Sequence, residues 1–172
     1  MPPTPLPVLY TPAQRARRDA TRWTLVQGVL APVQFVIFLI SLYLVMTSLS
    51  SGLHTDWALV SVVIKTLVLY AIMVTGAIWE KAVFGQYLFA PAFLWEDIFS
   101  MLVLALHTLY LFGWYQQNMT LQQQLGVALL AYFTYCINAG QFIWKLRAAR
   151  LQQAREKLSP LGQSMAPAGA MA

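Results

Sequence analysis

The sequence predicts an all-α integral membrane protein, an antiparallel four-helix transmembrane bundle with both termini in the cytoplasm. Composition gives the first observation, because the 172 residues are 59% hydrophobic and only 10% charged, which is not typical of a soluble domain. The second is that four apolar runs reach the roughly 20 helical residues needed to cross a hydrocarbon core of about 30 Å. These runs are Thr24–Thr47, Trp57–Trp79, Trp95–Tyr115 and Leu121–Trp144.

The membrane environment decides the type of secondary structure. In hydrocarbon only helices and closed barrels satisfy their backbone hydrogen bonds, and the four runs show no barrel-like alternation. The tryptophans agree, since all six fall at predicted span ends, as in an aromatic belt. They are Trp23, Trp57, Trp79, Trp95, Trp114 and Trp144. Short outer connections then make neighbouring spans antiparallel.

Lysine and arginine predict the orientation. Basic residues cluster before the first span and after the last, and the middle connection carries Lys81, whereas residues 48–56 and 116–120 contain none. By the positive-inside rule both termini and the middle connection are cytoplasmic. This topology, with attraction to anionic membrane lipid, explains the net charge of +5, so nucleic acid is not needed as a partner.

The chain divides into three segments. Residues 1–22 form a basic cytoplasmic arm, residues 23–145 the transmembrane domain and residues 146–172 a cytoplasmic tail. We expect the tail to be disordered from about Ser159, where Pro, Gly, Ala and Met accumulate. The first apolar run is too long for a signal peptide and is expected to stay as an anchor.

The arm contains a helix-start signal after a stretch with four prolines. Thr11 suits the N-cap, Pro12 the first helical position, and Gln14 completes a capping box. These residues predict a short interfacial helix from Pro12 to Asp19.

Three of the six carboxylates, Glu80, Glu96 and Asp97, stand at the two ends of the middle connection, residues 81–95. Placing an acidic side chain in a membrane costs free energy, so acidic residues are rare there unless they have a function. Two neighbouring carboxyl groups can hold one proton between them, which suits acid–base chemistry. Alternatively, these acids have only a structural role as solvated charges at helix ends. They would then pair with Lys81 or Lys145, or be stabilised by the helix N-terminus.

The middle connection itself, KAVFGQYLFAPAFLW, is apolar and aromatic. We expect it to lie in the interface or to fold back into the bundle, where it would wall a pocket.

Polar residues inside the spans form stripes at helical spacing. Glu96, Ser100 and His107 share one face of the third span, and Asn138, Gln141 and Lys145 share one face of the fourth. Hydrogen bonding between helices is the simplest explanation. Lys65, about 10 Å inside the outer face, is expected to extend its amine towards the interface.

His107 is the only histidine inside a span. It is either a neutral hydrogen-bonded side chain or an axial ligand to the metal of a bound tetrapyrrole. No second intramembrane histidine exists for bis-histidine haem ligation, and we predict no metal site built by the protein. G-x-S-x-G, C-x-x-C, P-loop and H-E-x-x-H motifs are missing as well, which leaves acid–base chemistry or binding.

Five stretches together form a distinctive pattern. They are WTLVQGVLAPVQ (23–34), KTLVLYAIMVTGAIWEK (65–81), VFGQYLFAPAFLWED (83–97), LALHT (104–108) and NAGQFIWK (138–145). With them the chain resembles the vinyl bacteriochlorophyllide hydratase family over about residues 8–151. The order Trp-Glu-Lys, Phe-Gly-Gln-Tyr, Trp-Glu-Asp is long and unusual, which makes the resemblance specific.

The resemblance implies a hydro-lyase of the bacterial inner membrane. It would hydrate the 3-vinyl group of chlorophyllide a or 3-vinyl bacteriochlorophyllide a to a 1-hydroxyethyl group during bacteriochlorophyll biosynthesis. No cofactor is required, since hydration transfers no electrons, and the only metal is the substrate's magnesium. We expect a groove open to lipid or completed by a second copy, and association with other enzymes of the pathway.

Chemistry and spacing suggest the roles. We predict Glu96 as general acid and Glu80 as base, with Asp97 able to substitute for either. The predicted pigment contacts are His107, Gln86, Tyr87, Asn138, Gln141 and Lys81. Arg22, Lys81 or Lys145 would hold the pigment's propionate.

Two other classes of function stay open. A non-catalytic pigment carrier or assembly factor would use His107 and the aromatic connection without needing the acids. A small transporter or channel would line a pore with the polar stripes.

Overall fold

The computed structural model describes residues 9–164, with side chains for residues 9–151 and 154. This part of the chain forms five helices: α1 (Pro12–Ala20), α2 (Arg22–Ser51), α3 (Thr55–Phe84), α4 (Leu94–Gln116) and α5 (Leu121–Ser164). Helices α2 to α5 each contain a segment long and apolar enough to cross a membrane, which confirms the four predicted spans. The protein is therefore a multi-pass helical membrane protein.

Helix α1 begins where the sequence predicts. Thr11 Oγ1 accepts a hydrogen bond from the Gln14 amide at 3.2 Å, and Gln14 Oε1 accepts one from the Thr11 amide at 2.9 Å. This reciprocal capping box confirms the predicted helix start. The first eight residues of the predicted cytoplasmic arm lie outside the described residues.

The transmembrane helices run past the apolar spans into polar residues. Gly52 ends α2 with φ +70°, and its amide donates to the Ser48 carbonyl at 2.9 Å. Only residues 52–54 then connect α2 to α3. At the far end of α3, Gly85 (φ +89°) donates to the Lys81 carbonyl in the same way. A left-handed residue at each site suits glycine, which has no Cβ to clash.

Helix α5 extends beyond the fourth predicted span and ends at Ser164, and disorder of the tail stays a prediction. Residues 146–158, LRAARLQQAREKL, are almost all strong helix formers, so a helix formed in the membrane is propagated beyond it. The rest of the predicted disordered tail, residues 165–172, lies outside the described residues.

Hydrogen bonds join α2 to α3 at several levels. Starting from the α1 end, the pairs are Thr24–Trp79 (3.0 Å), Gln27–Thr75 (2.8 Å), Ser41–Ser61 (2.7 Å) and Ser48–Thr55 (3.0 Å). Bonds of this kind between spans are what the polar stripes predict.

The buried apolar residues form two clusters. The larger joins all four long helices around Phe38, Val62, Tyr110 and Tyr132. The smaller lies beside the connection between α3 and α4, residues 85–93, and centres on Tyr10, Val83 and Phe93. We call this end of the bundle, with α1 and residues 85–93, the loop end.

Candidate active site

Three carboxyl groups are buried together at the loop end. Glu80 comes from the last turns of α3, and Glu96 and Asp97 come from the first turn of α4. Each residue is only 4–5% exposed. Because residues 85–93 bring the end of α3 back to the start of α4, acids separated by a sixteen-residue interval in sequence become neighbours.

Glu80 and Asp97 form a carboxyl pair, with the two groups within hydrogen-bonding reach of one another. The connection supplies further bonds: the Phe89 amide donates to Asp97 Oδ2 at 2.7 Å, and the Ala90 amide donates to Glu80 Oε2 at 3.3 Å. Two ionised carboxylates cannot donate to each other, so a hydrogen bond between them requires a shared proton. The pair is therefore suited to holding one transferable proton.

The backbone beside this pair is strained. Phe89 adopts φ +59°, in the left-handed region that residues with a Cβ rarely occupy. The conformation points its amide at Asp97. Local strain of this kind persists where the surroundings over-determine it, and it is concentrated at functional sites.

Glu96 faces a different neighbour. Its Oε2 accepts a hydrogen bond from Lys145 Nζ of α5 at 2.6 Å, in an ion pair. Lys145 also donates to the Ala92 carbonyl, and its Nζ lies 4.8 Å from the centre of the Phe93 ring. The lysine thus joins α5, α4 and the connection, and it compensates the buried charge of Glu96.

An aromatic cluster covers the acids. Phe93 packs edge-on against Trp79 and Phe84 and stacks on Phe142. Tyr10, at 4% exposure, stacks on Phe84 from the arm before α1. Of residues 85–93, Ala90 and Phe93 are buried whereas Tyr87 and Phe89 are exposed, so the connection packs against the bundle at its end nearest α4. No sequence pattern indicates that Tyr10 is part of this cluster, because it follows a proline-rich stretch without helical or strand periodicity.

The environment of Tyr10 is dry but charged at one edge. Burial raises the pKa of its phenol, and the Arg18 guanidinium, 4.9 Å from the ring centre, only partly opposes that shift. The arm thereby contributes both a ring and a cation above the aromatic cluster.

Apart from His107, the predicted pigment contacts fall into two places at the loop end. Asn138 Nδ2 donates to Ser100 Oγ at 2.8 Å, and Gln141 lies one turn nearer Lys145 on the same face of α5. Lys81, Gln86 and Tyr87 lie on the outside instead. Lys81 Nζ donates to the Gly85 carbonyl at 2.8 Å and sits 5.3 Å from the Tyr87 ring, which is 61% exposed.

His107 is remote from the acids and closed to ligands. Eleven residues along α4 separate it from Glu96, which is roughly 16 Å of helix. The residue is fully buried, its Nδ1 donates to the Val103 carbonyl at 2.8 Å, and its Nε2 is 2.9 Å from Lys65 Nζ. With both ring nitrogens engaged, this geometry does not support the predicted contact with the pigment's magnesium.

The expectation that Lys65 reaches towards the interface is wrong. Lys65 is fully buried, and its Nζ lies 4.3 Å from the centre of the Tyr135 ring and 5.1 Å from that of Tyr132. The imidazole and the aromatic faces provide the hydrogen bond and the electrostatic stabilisation that interfacial water would otherwise give.

An open cavity of about 520 Å³ lies at the opposite end of the bundle, lined by Asn118, Met119, Gln123, Gly126, Val127 and Leu130. None of the predicted site residues lines it. The chemistry of the side chains therefore places the candidate site at the carboxyl cluster and not at this cavity.

Fold and site together define a multi-pass helical membrane protein with a buried cluster of three carboxyl groups near one end of its spans. Comparison with known proteins identifies the family. Residues 10–148 match the 2-vinyl bacteriochlorophyllide hydratase family, to which this chain belongs. The family indicated by the sequence motifs is thus confirmed.

Two relatives are similar along most of their length. A 2-vinyl bacteriochlorophyllide hydratase of Cereibacter sphaeroides is 64% identical over 143 residues, covering 83% of this chain and 89% of the relative. One of Rhodobacter capsulatus is 60% identical over 153 residues, covering 89% of each. No solved structure matches the chain significantly.

Proposed function

We propose that this protein adds water to the vinyl group of a chlorophyllide-type pigment and so forms a 1-hydroxyethyl group. The vinyl group that the relatives' names place at position 2 is the same group that is numbered 3 above. Family membership supports the reaction, and the observation that carries its mechanism is the buried Glu80–Asp97 pair beside the ion-paired Glu96. The reaction needs no redox cofactor, because electrons are neither gained nor lost.

The reaction needs a general acid in its first step and a general base in its last step. Protonation of the terminal vinyl carbon leaves a cation that is delocalised into the macrocycle, and water then adds to the inner carbon. The protonated adduct finally loses a proton to a base. A positioned acid or base typically contributes 10²–10⁴ in rate.

We assign the acid to the Glu80–Asp97 pair, because two neighbouring buried carboxyl groups are suited to sharing one transferable proton. We assign the base to Glu96, since Lys145 compensates its negative charge. Water that has added to a carbocation is strongly acidic, so even an ion-paired carboxylate can remove its proton. These roles reverse those favoured by spacing alone, which could not show which acid faces the lysine.

The pigment is proposed to lie against the exposed rim of the loop end. Lys145 is already bonded to Glu96 and Ala92, whereas Lys81 makes one hydrogen bond and lies beside the exposed Tyr87 ring. Lys81 is therefore the better candidate for the propionate, with Tyr87 as a surface for the ring. The macrocycle would occupy a groove open to lipid or completed by a second copy.

We propose an antiparallel bundle in the bacterial inner membrane with both termini cytoplasmic. The order of the pairs between α2 and α3, from Thr24–Trp79 to Ser48–Thr55, supports opposite helix directions. Basic residues at the loop end support its cytoplasmic location. The acids would then meet a pigment arriving from the cytoplasmic face.

The test is expression in a host without tetrapyrrole ring modification, supplied with chlorophyllide a. We expect a product heavier by one water. Glu80→Gln and Asp97→Asn should each lower turnover about 10²–10⁴-fold while pigment binding, followed by the absorbance shift on titration, is retained. Asp56→Asn, an exposed acid in the first turn of α3, is the control and should behave as wild type.

Two results would count against the proposal. Pigment binding without any hydration by the wild-type protein would favour the carrier alternative. Wild-type turnover in both Glu80→Gln and Asp97→Asn would remove the pair from the mechanism.

A further inference from the structure

Two amide oxygens of α5 are buried without a hydrogen-bond partner among the residues that the structure describes. They are Asn138 Oδ1 and Gln141 Oε1. Buried polar atoms are nearly always hydrogen-bonded, so such an atom in a protein indicates a bound water or ligand. Asn138 is only 9% exposed, and these two acceptors belong to residues on one face of the helix.

Their place in the bundle is defined by two bonds between α4 and α5. On one side of Gln141, Asn138 Nδ2 donates to Ser100 Oγ at 2.8 Å. On the other side, Lys145 Nζ donates to Glu96 Oε2 at 2.6 Å. Residues 138, 141 and 145 follow each other at helical spacing, as do 96 and 100. Gln141 therefore sits between the two bonds, within about one helical turn of Glu96.

Accepting the hydration proposed above, we infer that Asn138 and Gln141 hold the water molecule that adds to the vinyl group. Two carbonyl oxygens one turn apart can each accept one hydrogen of the same water, which directs its lone pairs away from α5. The water oxygen then forms the C–O bond to the cationic inner carbon. Once the C–O bond has formed, the hydrogen held by Gln141 moves to Glu96, and the proton given by the Glu80–Asp97 pair stays on the new methyl group.

A water molecule bound in advance supplies the nucleophile at a site from which bulk water is excluded. A broad apolar pigment covering the loop end excludes bulk water from the carbon that has to be attacked. Unless a nucleophile is already in place, the cation returns its proton to the pair and the vinyl group reforms. Positioning one reactant before the cation forms turns the addition into an effectively unimolecular step.

The decisive measurement is the ratio of the products formed by water and by methanol, which compete as nucleophiles for the cation. Gln141→Ala removes one acceptor and leaves space, so in dilute methanol we expect the fraction of 1-methoxyethyl product to rise about 10-fold over wild type. In water alone, Gln141→Leu and Asn138→Ala should lower turnover about 10- to 100-fold, with pigment binding retained.

The matched control is Gln124→Leu. Gln124 is also a buried glutamine of α5, with its Nε2 unpartnered in the described part of the chain, but it lies 17 residues from Gln141, roughly 25 Å along the helix. Its turnover and product ratio should equal those of the wild type.

The product ratio is measured per molecule of product, so it does not depend on how much of a variant is folded. An unchanged ratio in Gln141→Ala, or the same change in Gln124→Leu, would overturn the water site. Absence of hydration by the wild type would instead overturn the proposed function itself.

Discussion

Removing the cation beside Glu96 should damage stability and catalysis together. In Lys145→Met the buried carboxylate loses its partner at 2.6 Å, and the connection loses the bond to the Ala92 carbonyl. At an effective dielectric constant of about 20, two charges at this distance attract by roughly 6 kcal/mol before desolvation is counted. Breaking a buried ion pair costs about 3–5 kcal/mol in practice.

The lower end of that range applies here, because the Lys145 side chain keeps 25% of its exposure to solvent or headgroups. We expect Lys145→Met to lower the free energy of unfolding by about 3 kcal/mol, and Glu96→Gln by about 2 kcal/mol. The double variant should lose about 3 kcal/mol and not 5, which gives a coupling energy of about 2 kcal/mol. Unfolding in mixed detergent micelles, followed by circular dichroism, measures all three.

Turnover supplies the second readout. Lys145→Met should reduce hydration about 10²–10⁴-fold, because Glu96 can no longer serve as the base, while pigment binding persists. Lys81→Met is the control for stability: this lysine is exposed, donates to the Gly85 carbonyl and lies beside the Tyr87 ring, so the loss of unfolding free energy should stay within about 0.5 kcal/mol. Additive losses in the double variant, or full turnover in Lys145→Met, would refute the role given to the ion pair.

Two further predictions concern topology and the buried histidine. In a cysteine-free background, cysteines at Ser51 and Gln117 should react with an impermeant thiol reagent from outside and one at Gln86 should not; outside labelling at 86 would reverse the topology. His107→Ala should lower the free energy of unfolding by about 1–3 kcal/mol, because it leaves Lys65 without its hydrogen-bond partner, and residual hydration should remain. A fully stable His107→Ala protein with no hydration would place the histidine in the chemistry.

Local features of the sequence predicted local structure well. The capping box at Thr11 and Gln14 depends on residues three apart, and the spans depend on continuous apolar length, so neither needs knowledge of the rest of the fold. The ends of the helices were less predictable. Hydropathy marks the limit of the hydrocarbon, whereas a helix ends where a residue such as Gly52 or Gly85 can take the left-handed conformation.

Partners from distant parts of the chain were not predictable. Lys65 is within reach of the interface, but His107, 42 residues away, and the rings of Tyr132 and Tyr135 keep its amine inside the bundle. Tyr10 likewise joins the aromatic cluster through tertiary packing alone. A single sequence gives the depth of a side chain in a membrane helix far better than it gives the neighbour that the side chain meets.

The two adjacent acids of α4 show how much chemistry depends on those neighbours. Successive helical residues point about 100° apart, so Glu96 and Asp97 cannot face the same helix. Glu96 meets a lysine of α5, and Asp97 meets a carboxyl group of α3. One therefore has a compensating cation and the other has a second carboxyl group with which it can share a proton, although both are carboxylic acids at the same depth. In the proposed mechanism this difference lets one turn of helix present a base and an acid to a single pigment.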